Sequence, residues 1–185
     1  VYTDVIHDGK VNYIGASNYP AWKLVESIFI AKENNLVSYQ TMQPYYSLAR
    51  RLRYDNELRE VCLNYNIGVI PYSPLAAGFL TGKYRQNQEL SQSDRASGIK
   101  NRFFNERGWQ ILTTLEEICN EKGITAAQGA LAWVMHQPGI TSPIIGANSV
   151  EQLEEIAKAV EIKFTEDELS RLEEISSIES NLIIS

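Results

Sequence analysis

Residues 68–84 read GVIPYSPLAAGFLTGKY. The segment opens as a short apolar run, Gly68 to Pro74, with β-branched Val69 and Ile70 at its centre, and it reads as a strand. It is followed by an unusually long connection before the next helical pattern, around Trp109 to Glu121. A connection of that length inside a compact domain is usually functional. Its first residues, Ser73, Leu75, Ala76, Ala77 and Gly78, are mostly small, so a ligand can approach the backbone and exposed amides can meet phosphate oxygens. Lys83 then supplies a positive charge, and Arg95, in SDRAS, supplies another farther along. The plainer reading is a solvated surface loop.

Outward from this stretch the chain alternates two periods. VNYIGAS (11–17) is a short apolar run, and Pro20 starts a helical segment with Trp22, Val25, Ile28 and Phe29 at helical spacing. LVSYQTM (36–42) repeats the strand pattern. DNELREVCLNYN (55–66) repeats the helix, with Asp55 as N-cap and Leu58, Val61, Cys62 and Tyr65 as the stripe expected to be buried. After the long connection come two helices, the second being TAAQGALAWVMHQ (125–137), then a fourth apolar run, GITSPIIGA (139–147). SVEQLEEIAKAV and TEDELSRLEEISS read as capped amphipathic helices. The opening VYTDVIHDGK looks like the last turns of a helix closed by Gly9, as if entered part-way through. Four strands alternating with helices imply right-handed parallel crossovers, hence an α/β fold. A doubly wound sheet and part of an eight-stranded barrel both fit, although no G-x-G-x-x-G lies between a strand and its helix.

The 185 residues, 44% of them hydrophobic, suffice for a single domain with its own core, residues 177–185 forming a loose apolar tail. A net charge of −6 and a pI near 5.0 argue against a nucleic-acid partner, while leaving room for local basic clusters. Cys62 and Cys119 lack the spacing zinc requires and read as reduced core thiols, so no metal is expected. No run of about 18 apolar residues offers a membrane span and no charged-then-apolar leader opens the chain, which points to no membrane and a cytoplasmic location.

Ligands of parallel α/β folds gather at the carboxyl ends of the strands. Those ends carry Ser17 and Asn18, Gln43, Tyr72 and Ser73, and Gly146 to Asn148. Ser17, Asn18 and Gln43 offer a hydroxyl and two amides able to hold a carboxamide in one orientation. Equally, Asn18 could cap the helix at Pro20 and Gln43 could satisfy a turn. Tyr72 offers a flat ring for stacking, or an ordinary rim residue. Gly146 precedes a helix N-terminus whose free amides favour an anion, and Gln152 and Glu155 share one face of that helix. Both histidines, His7 and His136, lie away from the strand ends, and no nucleophile elbow, P-loop or pair of strand-end carboxylates appears.

The ordered segments GKVNYIGASN, QPYYSLARR, GVIPYSPLAAGFLTGKY, SDRAS and TAAQGALAWVMHQPGITSPIIGANSVEQLEE closely resemble the carboxyl half of the aldo-keto reductases, from Lys10 to about Ser177. The resemblance implies a parallel (β/α)8 TIM barrel, of which this chain would supply strands five to eight. It also implies NADP(H) as cofactor and small aldehydes or ketones as substrates. Ser17, Asn18 and Gln43 would then hold the nicotinamide carboxamide, with Tyr72 stacked on the ring. Ser73, Pro74, Leu75, Ala76 and Ala77 would line the pyrophosphate, with Lys83 and Arg95 folded over it. Gly146, Asn148, Gln152 and Glu155 would hold the adenosine and its 2'-phosphate. Two positions depart from the family: Ile156 stands where many members carry an Asn that bonds adenine, and Asn148 where a cationic or hydroxyl residue is common. The family's Asp, Tyr, Lys and His tetrad belongs to the first four strands, and no residue here corresponds to it. No catalytic residue is therefore assigned, and the 185 residues alone are expected to be inactive. A different reading is a non-catalytic half barrel that binds nucleotide or a protein partner, as in the family's potassium-channel β subunits. Its open sheet edges would pair with a second copy or with a missing amino half. An unrelated phosphate-binding barrel would explain Gly146 but not GASN or YSPLAAGFLTGKY.

Overall fold

A computed structural model describes residues 2–86 and 94–177, with the side chains of residues 94–97 outside the description. Strands β1 (Gly15–Ser17), β2 (Thr41–Gln43) and β3 (Gly68–Val69) pair in parallel in that order, with Ser17 opposite Gln43 and Met42 opposite Val69. A Cβ on Gly15 would collide with the Thr41 side chain, so the close pairing of β1 and β2 depends on that glycine. Each crossover is helical. Helix α2 (Ala21–Glu33) joins β1 to β2, and a π turn (Tyr54–Leu58) running into α3 (Arg59–Asn64) joins β2 to β3. The expected parallel α/β arrangement is therefore present.

The fourth strand expected at 139–147 is not a regular strand. It lies beside β3 through isolated parallel bridges, Val69 with Ile140 and Tyr72 with Ile144. The Thr141 and Ile144 N–H groups donate to Val69 O and Pro71 O, each at 2.8 Å. Pro71 and Pro143 have no N–H to give, and the Val69 N–H is taken by Thr141 Oγ1 at 3.0 Å, so the ladder cannot run on.

The remaining helices are α1 (Tyr2–His7), closed at left-handed Gly9, then α4 (Asp94–Phe103), α5 (Glu106–Lys122), α6 (Ala126–His136), α7 (Val150–Ala157) and α8 (Glu166–Ser176). The expected caps form. Thr125 and Thr165 close reciprocal boxes with Gln128 and Glu168, and Ser149 accepts from the Gln152 N–H. Three sequence expectations shift, and the first is Tyr65, expected in the buried stripe with Leu58 and Cys62 but 40% exposed. In α2 the buried residues are Leu24 and Ala31, while Trp22 and Phe29 are 66% and 48% exposed. Asp55 does not cap a helix: it lies inside the π turn, accepting from Arg51 Nε at 2.7 Å and from the Tyr46 hydroxyl at 2.9 Å.

The core runs under the sheet through Met42, Tyr46, Tyr54, Phe79, Leu115 and Trp133, all fully buried. Phe79 sits in a 3₁₀ turn, Ala76–Thr81, early in the long connection. Its ring centroid lies 5.4 Å from Phe103 of α4 and 5.2 Å from Trp109 of α5. Burying that ring is worth about 1.5–3 kcal/mol, which ties the connection to the helical layer. Cys62 and Cys119 are buried and free, their thiol pKa values pushed up to about 11 by burial. No helix among the described residues is long and apolar enough to cross a membrane. The tail from residue 178 onward lies outside the described residues.

Candidate functional site

At the carboxyl end of the sheet, Ser17 closes β1 and its hydroxyl donates to Gln43 O at 3.0 Å. Asn18 follows in the left-handed region, φ 58°, where the short Asn side chain is among the better tolerated. That turn aims its side chain across the strand ends and not into α2, whose N-cap is Pro20 with no side-chain bond. Asn18 Nδ2 donates to Ser17 Oγ at 3.2 Å, and the Tyr72 hydroxyl donates to Asn18 Oδ1 at 3.2 Å. Among the described residues the Gln43 side-chain amide makes no hydrogen bond. Ser17, Asn18, Gln43 and Tyr72 therefore converge on one patch, with donors, acceptors and a half-buried ring side by side.

The next residues are held in a conformation that L-residues avoid. Ser73, Ala76, Ala77 and Gly78 have φ of 56°, 50°, 58° and 94°. Each non-glycine residue there costs on the order of 1–2 kcal/mol, and buried Phe79 and Leu80 hold the segment in place. Among the described residues the Ser73 and Leu75 N–H groups make no backbone hydrogen bond, and successive amides in such turns form concavities suited to anions. Pro74 and Ala76 are buried, with Leu75 and Ala77 half-exposed beside them. Lys83 returns over this turn: a Cβ on Gly78 would lie 3.2 Å from Lys83 Nζ. The Arg95 side chain lies outside the described residues.

The last group of expected residues is only loosely assembled. Gly146 is exposed with open space where a Cβ would stand, and Asn148, Gln152 and Glu155 are exposed. Gln152 Oε1 already accepts from the Asn148 N–H at 2.8 Å, a local cap at the start of α7. Glu155 accepts through its main-chain oxygen from Gln128 Nε2 at 2.7 Å, leaving its carboxylate in solvent. Ile156 is buried among Leu131, Ala132 and Ala159, so its side chain packs inward, away from the exposed face of Gln152 and Glu155.

Beside Tyr72 and Asn18 opens a cleft of about 820 Å³, which also takes in Tyr45, Arg50, Arg53 and Arg102. Sequence reasoning missed these arginines as site residues. The only signal was the basic run at residues 50–53, and Arg102 is brought to it by the fold. A larger hollow, about 950 Å³, lies over Trp109 and Thr113 of α5, but it gathers one cation, Lys100, and none of the strand-end residues. The strand ends, where ligands of parallel α/β folds gather, are therefore the candidate site.

A model of the aldo/keto reductase family matches residues 2–177. The chain is 36% identical over 171 residues to the uncharacterized oxidoreductase YrpG of Bacillus subtilis, covering 92% of this chain and 50% of that protein. It is 33% identical over 173 residues to versiconal hemiacetal acetate reductase of Aspergillus parasiticus, covering 92% and 50%. It is 32% identical over 187 residues to a putative voltage-gated potassium channel subunit beta of Schizosaccharomyces pombe, covering 94% and 53%. The chain spans about half the length of these curated relatives.

Proposed function

The chain belongs to the aldo/keto reductase family, and from that premise we propose that it is the cofactor-holding part of an NADP(H)-dependent oxidoreductase that reduces aldehyde or ketone carbonyls to alcohols, its strands forming about the second half of a (β/α)8 barrel. The observation that carries this reading is the convergence of Ser17, Asn18, Gln43 and Tyr72 at adjacent strand ends. Those groups fit a nicotinamide: a carboxamide can exchange into the Ser17–Asn18–Tyr72 bonds and meet the unengaged Gln43 amide, while the Tyr72 ring covers one face. The free Ser73 and Leu75 amides and the Lys83 ammonium fit a pyrophosphate.

When bound, the dinucleotide supplies the hydride that reaches the carbonyl carbon. The chain's own residues orient and exclude. Fixing the carboxamide in one rotamer decides which ring face is open, and Tyr72 closes the other to water. Gly146 and the N-terminus of α7, where the helix dipole favours a phosphate, take the adenosine end. No Asp, Tyr, Lys and His tetrad is assigned among residues 1–185, so on this reading they bind cofactor and by themselves give negligible carbonyl reduction. General acid catalysis alone is worth about 10² to 10⁴-fold.

Equilibrium titration of intrinsic fluorescence with NADPH tests the proposal. Saturable binding that Tyr72→Ala weakens about tenfold is expected, since loss of a well-placed aromatic contact and its area is worth about 1–2 kcal/mol. Binding that Tyr72→Ala leaves unchanged would overturn the assignment. Robust NADPH oxidation by residues 1–185 with an aldehyde would overturn the claim that they lack the proton donor.

A second reading, a binding module that pairs with another copy or with a separate amino half, has one observation in its favour. β1 and the 140–144 run each have a partner on one side only among the described residues. Bare edges of this kind invite pairing. Sedimentation of residues 1–185 as a well-folded monomer would count against it.

A further inference from the structure

The cleft beside Tyr72 is more cationic than anything else about this acidic chain suggests. Arg50, Arg53 and Arg102 line it together with a single carboxylate, Glu57. Among the described residues no carboxylate lies within 4.0 Å of any of the three guanidiniums. Among the other arginines whose side chains are described, Arg51, Arg59, Arg85 and Arg171 each pair with one or two acids, and Arg107 donates to the main-chain oxygens of Ser176 and Ser177. With 23 acidic residues against 17 basic ones, three neighbouring arginines left without a counter-ion among the described residues are not explained by a shortage of acids in the chain.

Their positions are built. Arg50 closes a tight turn in which its N–H donates to Ser47 O at 2.9 Å and Ser47 N–H donates back to Arg50 O at 3.2 Å. Its guanidinium lies 4.7 Å from the centroid of the Tyr45 ring, which in turn meets Tyr72 edge-on at 5.2 Å. Arg102 stands in the last turn of α4, next to buried Phe103, and lines the same cleft as Tyr45. Burial pushes the Tyr45 phenol pKa up while the charges of Arg50 and Arg102 pull it back. Trp22, exposed at the start of α2, supplies an apolar wall. Guanidinium forks held on an aromatic shelf suit the planar, bidentate geometry of a carboxylate or phosphate.

We propose that this cleft receives an anionic group, a carboxylate or a phosphate, carried by the carbonyl substrate, with Arg50, Arg53 and Arg102 as its specificity-determining residues. The anion rests on the arginines, and the carbonyl rests on the reductase reading above. Tyr72 is the link: it borders the cleft and, in that reading, stacks on the nicotinamide, so an anion held here lies in the neighbourhood of the reacting ring.

The test is steady-state kcat/KM for the complete protein as it occurs in its source, with matched aldehydes: 4-carboxybenzaldehyde against methyl 4-formylbenzoate, and glyceraldehyde 3-phosphate against glyceraldehyde. At least about tenfold preference for the anionic member of one pair is expected, the size of one charge-assisted hydrogen bond, and the pair that shows it identifies the anion. Arg50→Gln and Arg102→Gln should each move that ratio toward one, and Arg50→Lys should restore it in part. Isothermal titration with benzoate and with inorganic phosphate, without cofactor, reads the cleft alone. Anion binding lost in the Gln variants, with no aldehyde reduced, would leave this site standing and overturn the reductase reading. Equal kcat/KM within both pairs with no anion bound, or a preference the Gln variants retain, would overturn this proposal.

Discussion

Arg50 and Arg51 are neighbours in sequence and opposite in circumstance. Arg51 is 5% exposed and saturated: Nε donates to Asp55 and the terminal nitrogens to Ser176 and Glu173, each at 2.7 Å, while its plane lies 4.9 Å from the Trp133 ring centroid. Arg50 is exposed, sets its guanidinium over the Tyr45 ring, and lines a cleft. The same division runs through the molecule. The helical side satisfies its polar groups with capping boxes at Thr125 and Thr165 and with the Lys122–Glu168 pair at 3.0 Å. Among the described residues, the strand-end face keeps left-handed Asn18, Ser73, Ala76 and Ala77, free Ser73 and Leu75 amides, an unengaged Gln43 amide and arginines with no acidic partner. The strain and the free hydrogen-bonding groups on the second side are what make it the candidate site.

Removing Arg51 should have the largest effect. Arg51→Met leaves Asp55, only 10% exposed, without its main counter-charge, and should destabilise by about 3–5 kcal/mol, whereas Arg50→Met should stay within about 0.5 kcal/mol. Urea denaturation of both variants checks this, and equal losses would erase the contrast between the two arginines.

Relieving strain on the strand-end face comes next. Ala77→Gly removes the Cβ from a left-handed position and should stabilise by about 1 kcal/mol, less the added entropy of the unfolded glycine. Destabilisation in the same assay would mean that Ala77 packs as core and is not held against its preference.

The smallest effect concerns pH. Burial works against ionisation of Glu168, but the Thr165 N–H and Lys122 outweigh it and hold its carboxyl below the usual range. A carboxyl lowered in the folded state contributes stability above its unfolded pKa, about 4.3, and loses it as pH falls through the folded value. Glu168→Gln should therefore be less stable than wild type at pH 7 by up to about 1 kcal/mol, the difference closing below about pH 4. A pH-independent difference would assign the effect to packing.

Much of this division is legible in the sequence, because it is written locally. Thr125, Ser149 and Thr165 announce their helices through side chains that bond three residues away, and Gly9 closes α1 by itself. The small residues of 73–78 announce a backbone open to a ligand. What was illegible depends on contacts distant in the chain. Helical spacing fits Trp22 and Phe29 as well as Leu24 and Ala31, and only the sheet decides which face is buried. The run 139–147 is as apolar as a strand, but Pro71 on its neighbour and Pro143 within it break the ladder. Asn18 fits a helix cap until its left-handed backbone turns it toward Tyr72. Arg102 belongs with Arg50 only because α4 folds back over the strand ends.

The most direct measurement is amide hydrogen exchange with and without saturating NADPH. The account expects slower exchange at residues 17–18, 72–78 and 146–149, with no change at 51–55 and 172–176, which are already satisfied. Uniform protection across both sets, or none at the strand ends while NADPH is bound, would contradict it.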